Sequence, residues 1–169
     1  MNLFKCTSLA VLISLSAMFC PISYAHAAVT PFTDSAIVLH QQTEYFEDGQ
    51  YVIISLQYTT PYSSGFSRTS QTLSAKKTYT GYNQDGEALW SFIIYGDFSV
   101  ESGVSSQCIR SSYSTNIYNS SWNVGSASSY ATGDMAVGDA TFEKKLLFIT
   151  TDTKSCHVEL SCDINGNFH

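Results

Sequence analysis

From Ala88 to Val100 the even positions Ala88, Trp90, Phe92, Ile94, Phe98 and Val100 are apolar, and Gly96 interrupts them. Period two marks a pleated strand, whose successive side chains point to opposite faces. The odd positions start mixed, with Leu89 and Ile93, and turn polar at Asp97 and Ser99. The first half of this strand is therefore expected to be covered on both faces, which makes it a central strand. A glycine inside such a pattern marks a bulge or a close backbone approach, so the strand is expected to bend at Gly96.

The turn signals Asn83-Gln84-Asp85-Gly86 and Glu101-Ser102-Gly103 bracket that run. With them, Thr72–Tyr82, Glu87–Val100 and Ser105–Tyr118 form a predicted three-strand meander. In its third strand Ile109, Tyr113 and Ile117 share one parity and Cys108 takes the other. Either Cys108 faces a second layer or a bulge shifts the register. Upstream, Tyr51–Tyr58 alternates cleanly, with Val52, Ile54, Leu56 and Tyr58 on one face. Ser35–Glu47 is ambiguous, since Ala36–His40 reads equally as a short strand or one helical turn, and Thr59–Ser70, with Pro61 and Gly65, reads as a loop.

Past the turn Asn119–Ser121, the stretch Gly125–Gly138 is small and polar and predicts one flat, weakly specified strand. Phe142–Thr150 is apolar after the charges at Glu143, Lys144 and Lys145. A last strand is predicted over Ser155–Cys162, with Cys156, Val158, Leu160 and Cys162 on one face, and Asp163–Asn167 closes as a turn-rich tail. Short strands, hairpin turns and no convincing amphipathic helix define an all-β fold. An antiparallel β-sandwich is expected, and immunoglobulin-like is the commonest such arrangement.

The first residues stand apart. Lys5, the apolar run Leu9–Phe19 and the small-x-small site Ala25-His26-Ala27 read as a secretory signal peptide over residues 1–27, leaving 28–169 as a single β domain. The apolar run falls short of the roughly 20 residues a spanning helix needs, and no stable membrane span is expected elsewhere. Met18-Phe19 before Cys20 is too bulky for a lipidation site, so Cys6 and Cys20 are expected to leave with the signal. The protein is expected to be secreted.

Charge then removes some partners. The formal net charge is −6, and −7 once Lys5 is gone. An acidic surface repels phosphate backbones, so nucleic acid is not an expected partner. Only 13% of residues are charged while Tyr, Phe, Ser and Thr abound, which suits an extracellular β domain.

Candidate chemistry is sparse. No Gly-x-Ser-x-Gly elbow, His-Glu-x-x-His pair or phosphate-binding glycine loop occurs, so no catalytic residue, metal ligand or cofactor is named. Asp85, Glu87, Asp97 and Glu101 lie near turns, where solvated acids are ordinary. Asp163-Ile164-Asn165-Gly166-Asn167 begins like a calcium loop but lacks the spacing and the distal Glu, so a plain turn is expected. Asn119-Ser120-Ser121 is a glycosylation sequon, meaningful in a eukaryotic source.

Three cysteines remain after processing, and export makes a disulfide the expectation. Cys108 with Cys162 is the favoured pair, closing a long loop for about 3–5 kcal/mol in the chain-entropy model. Cys108 with Cys156 is the rival. The leftover thiol is expected to be a buried small hydrophobe.

The tyrosine-rich segments Tyr58–Phe66 and Tyr113–Trp122 supply candidate binding residues: Tyr62, Phe66, Tyr113, Tyr118 and Trp122. Tyrosine offers contact area at low entropic cost. The leading expectation is a non-catalytic extracellular domain that binds a protein or glycan at a cell surface. The bland alternative has these aromatics capping the core. A membrane-active, toxin-like protein is a second reading, from the alternating tracts Ser67–Thr80 and Ser105–Asn119, and a hydrolase with a spatially assembled site is a third. Nothing in the sequence sets an oligomeric state.

Tyr79–Phe98, with Asp85-Gly86, Leu89-Trp90 and Gly96-Asp97-Phe98, followed by Cys108, Trp122 and the closing Cys162-Asp163-Ile164-Asn165-Gly166, resembles a group of small secreted proteins of Gram-positive bacteria. The resemblance covers about the C-terminal two-thirds of the processed chain. It implies export and a β fold and carries over no catalytic residue. Cys156 lies outside the shared pattern, so the resemblance also implies pairing of Cys108 with Cys162.

Overall fold

Eight strands follow one another: β1 (Val38–Tyr45), β2 (Tyr51–Tyr58), β3 (Gln71–Tyr82), β4 (Ala88–Glu101), β5 (Ser105–Ile117), β6 (Trp122–Thr132), β7 (Met135–Leu146) and β8 (Ile149–Ser161). The computed structural model describes residues 38–59 and 70–169, all within one unit that begins at Thr33. The strands form two antiparallel sheets, ordered β1-β2-β3-β4-β5 and β6-β7-β8, and no helix occurs among the described residues. This is the all-β sandwich class that the alternation predicts. Within each sheet every strand pairs with its neighbour in sequence, and the chain crosses between sheets from β5 to β6, so the connectivity is a folded meander. Immunoglobulin sandwiches interleave their strands through Greek keys, and that finer expectation is corrected.

β4 is the central element, as its pattern demands. Trp90, Phe92, Ile94, Phe98 and Val100 are each at most 1% exposed and face the second sheet. Gly96 is required by a close approach within this face: a Cβ there would lie 2.5 Å from Cε2 of the Phe98 ring. The irregularity falls one step later, where Asp97 pairs with Arg110 but Phe98 pairs with Cys108, leaving Ile109 as an extra residue on β5. Both readings of Cys108 therefore hold, because the bulge exposes Ile109 and turns Cys108 into the core.

Two downstream expectations need correction. Gly125–Gly138 is not one flat strand; β6 and β7 divide it around a two-residue turn, Gly133-Asp134, with Gly133 at φ 55. The small residues have a packing purpose. Ala136 and Ala140 on β7 are buried, and a Cβ on Gly138 between them would lie 2.9 Å from Cζ of Phe92. Small side chains on β7 thus receive the large ones on β4.

The apolar run Phe142–Thr150 is likewise split. Phe142 is fully buried and stacks on Trp90 with ring centroids 4.2 Å apart and planes 11° from parallel. The chain then reverses at Leu147-Phe148, and β8 begins at Ile149, six residues ahead of the predicted start at Ser155. Leu146, Leu147, Phe148 and Ile149 are 68%, 87%, 99% and 69% exposed. Leu147 has φ 57, a left-handed conformation that leucine adopts reluctantly.

At the chain's ends, the described part of the ambiguous segment is the strand β1, Val38–Tyr45, exposed along its whole length. The terminal turn is organised by Asp163, whose Oδ1 accepts from the backbone N–H groups of Asn165 and Asn167, both at 2.8 Å. It returns Phe168 to pair with Cys162 and to pack edge-on against Phe98 at 5.4 Å. At the opposite end Lys154 of β8 ties the sheets together. Its Nζ lies 2.6 Å from Asp48 Oδ2 in the β1–β2 turn and 4.7 Å from the centre of the Phe46 ring.

Candidate functional site

On the five-stranded sheet a hollow of about 350 Å3 is lined by Thr59, Ser74, Tyr95, Asp97, Arg110 and Ser112, among others. Strand register builds it. Ser74, Asp97 and Arg110 are direct cross-strand partners on β3, β4 and β5, so they form one polar row, with Tyr95 and Ser112 paired two residues further along. The Ser74 hydroxyl donates to Asp97 Oδ1 at 2.6 Å, and Arg110 Nε donates to Oδ2 at 2.7 Å. Arg110 Nη2 also reaches Oδ2, at 2.6 Å. The carboxylate is held from both sides while the Arg110 side chain stays 75% exposed, with guanidinium donors to spare for a ligand.

The sequence reading set Asp97 aside as a solvated acid near a turn. Its signal was its position. Asp is depleted from strand interiors, and a mid-strand Asp beside Gly96 called for a partner that only strand register could supply.

The sequence-predicted binding residues divide. Tyr62 and Phe66 lie outside the described residues. Tyr113 and Tyr118 are 44% and 57% exposed and remain available. Trp122 is corrected: it is 2% exposed, and its ring centroid lies 6.4 Å from that of Trp90. Burial of a large aromatic face outweighs surface presentation there.

The expected Cys108–Cys162 bond is not formed in the structure, where Cys108, Cys156 and Cys162 are all thiols. The Cys108 thiol donates to Arg110 O at 3.3 Å and that of Cys162 to Asp163 O at 3.6 Å. The two backbones are nonetheless anchored side by side, since Cys108 N–H donates to Gly133 O and Cys162 N–H to Asp134 O, at 2.8 and 3.1 Å. Burial pushes Cys156 up to about 12 and Cys162 up to about 11, and raises Cys108 as well. Thiols held protonated in this way are poor nucleophiles.

His157 lies on the exposed face of β8, between Asp139 Oδ1 at 2.7 Å and Glu159 Oε1 at 3.4 Å. Hydrogen bonding to Asp139, then to Glu159, raises its pKa above the ordinary value. The cluster offers a surface imidazole between two carboxylates, with no hydroxyl or thiol bonded to it. Among the described residues no group of three or more His, Cys, Asp or Glu side chains is placed to hold a metal ion. No helix there is long and apolar enough to cross a membrane.

Comparison with known proteins adds no assignment: no family model, curated protein or solved structure matches the chain significantly.

Proposed function

We propose that this chain is a secreted, non-catalytic β-sandwich module that binds a glycan or a protein at a cell surface. The hollow around Asp97 and Arg110 is the observation that carries the reading. It combines an ordered carboxylate, an exposed guanidinium, hydroxyls and the Tyr95 ring on a sheet whose register fixes their spacing. Such a convergence of a few polar groups with an aromatic in a concavity is what orients a ligand rich in hydroxyl or amide groups. Tyr118, whose hydroxyl lies 3.3 Å from that of Ser91 at the parity of Tyr95 and Asp97, adds an exposed aromatic on the side of the hollow, whereas Tyr113 pairs with Ile94 and packs against Phe92 on the opposite face.

Export rests on the signal-like residues 1–27 and on the resemblance to small secreted Gram-positive proteins. In an oxidising space Cys108 and Cys162 are the proposed pair, supported by their anchorage on adjacent residues of one turn. The folded protein, screened on glycan and cell-surface protein arrays, should bind a defined ligand set, and Asp97→Ala and Arg110→Ala should each lower that binding about tenfold or more, as for a lost charge-assisted hydrogen bond. Arrays blank for wild type, or hits untouched by both substitutions, would remove the support for this reading.

A further inference from the structure

The β7–β8 tip presents four consecutive large apolar side chains to solvent, with Phe148 99% exposed. Isolated exposed apolar residues are ordinary, but a contiguous set at the end of a projecting element marks an interaction site. The hairpin extends past the covered core, for the last three residues of β7 and the first three of β8 are all exposed. Leu147 also stands at the first position of a two-residue turn with φ 57, a place such turns ordinarily give to Gly, Asn or Asp. Nothing in the fold beneath it calls for leucine there.

We propose that this tip inserts into the interfacial layer of a lipid bilayer. The tip is convex, so its partner must either carry a matching deep pocket or deform around it; a bilayer deforms. Leu146 pairs with Ile149 and the turn adds one further layer, so the apolar tip reaches about 7 Å at the usual rise per strand residue. That depth matches the 5–10 Å to which interfacial elements bury their apolar faces, and falls far short of the roughly 30 Å hydrocarbon core.

Charge fits as well. Between Glu143 and Asp152, the latter directly across from Lys144, the sequence holds two lysines and no acid, so Lys144 and Lys145 are the charges nearest the tip in a protein that is acidic overall. Lys145 is partly engaged by Glu143 at 3.0 Å, whereas Lys144 forms no ion pair among the described residues. An anionic bilayer is therefore the preferred target. This inference is independent of the hollow on the five-stranded sheet.

The test uses the whole protein and Phe148→Trp. The native tryptophans Trp90 and Trp122 are buried, so the new indole is the exposed reporter. With phosphatidylcholine vesicles containing phosphatidylglycerol, its emission should shift to the blue and be quenched by brominated lipid. Phe148→Ser should reduce vesicle cosedimentation about tenfold, the loss expected for one phenyl ring left in water, while Val104→Ser, in the β4–β5 turn, should bind as wild type. Unshifted emission on vesicles, as a protein pocket as partner would give, overturns the proposal. So does a blue shift that grows with protein concentration in the absence of lipid, or equal loss of binding in the Phe148 and Val104 variants.

Discussion

Gly138→Ala isolates the contact between the sheets. A Cβ at this position would lie 2.9 and 3.0 Å from Cζ and Cε1 of Phe92 and 3.1 Å from Cδ1 of Ile94. Both neighbours are fully buried on the central strand, so neither can swing into solvent. Real Cβ atoms essentially never come closer than 3.0 Å, and a shift of several tenths of an ångström must propagate into β4 or push β7 outward. Overpacking of this kind costs about 1–3 kcal/mol. Gly138 has no positive φ, so alanine also stiffens the unfolded chain and returns about 0.4–1 kcal/mol. The net loss expected is about 0–2.6 kcal/mol, read as a lower urea midpoint at unchanged m-value. Phe92→Leu removes the atoms that clash, so in a double-mutant cycle the two substitutions should couple favourably by at least about 0.5 kcal/mol. An alanine variant more stable than wild type, or a cycle with no coupling, would refute the claim that small residues on β7 exist to receive the rings of β4.

Four further outcomes follow from the geometry. Phe142→Ala, which removes the ring stacked on Trp90, should lower unfolding free energy by about 3–5 kcal/mol in chemical denaturation. Lys154 holds the Asp48 carboxyl below its ordinary range by a side-chain hydrogen bond, so the pair's stabilisation is present above the unfolded value of 3.8 and is lost as pH falls through the lower folded value. Asp48 is 42% exposed, so solvent screening limits the effect to under about 1 kcal/mol; on acidification wild type should lose that much more stability than Asp48→Asn. His157 has a raised folded pKa, so its contribution is complete below 6.5 and is lost as pH rises through the folded value; NMR titration should show that value fall towards 6.5 in Asp139→Asn. The buried thiols should resist a small disulfide reagent in the native reduced protein and react in denaturant, while peptide mapping of protein folded under oxidising conditions should show Cys108 linked to Cys162 and Cys156 free.

Much of the five-stranded sheet was legible in the chain because its strands announce themselves twice, by parity and by turn. β4 alternates over thirteen residues and is flanked by Asp85-Gly86 and Gly103, the latter two glycines at φ 83 and 73. The three-stranded sheet gave these signals only in part, by the parity of β8 from Cys156 to Cys162. Its inner face on β7 is Ala136, Gly138 and Ala140, small because of what packs on it, and smallness has no visible period. The Gly133-Asp134 turn was a readable hairpin signal that the surrounding Ser-rich composition masked. At Leu147-Phe148 there was no signal to read, since two bulky residues contradict ordinary turn chemistry. The hollow was beyond reach for another reason. Ser74, Asp97 and Arg110 come from three strands, and a one-residue change in either pairing would separate them.

The unbranched meander also dictates an order of assembly. Within each sheet a strand waits only for its predecessor, so a chain emerging from its N-terminal end can pair β1 to β5 in sequence order, while β6 finds its partner only in β7. The sheet so formed is hydrogen-bonded but unfinished, because Phe92, Ile94 and Phe98 find their cover only when β7 arrives. The interval between those events is when the protein is most open to association with other chains. Ending that interval falls to the last third of the sequence, where a three-stranded lid, a lysine strap to the β1–β2 turn and the returning Phe168 close over the aromatic face together.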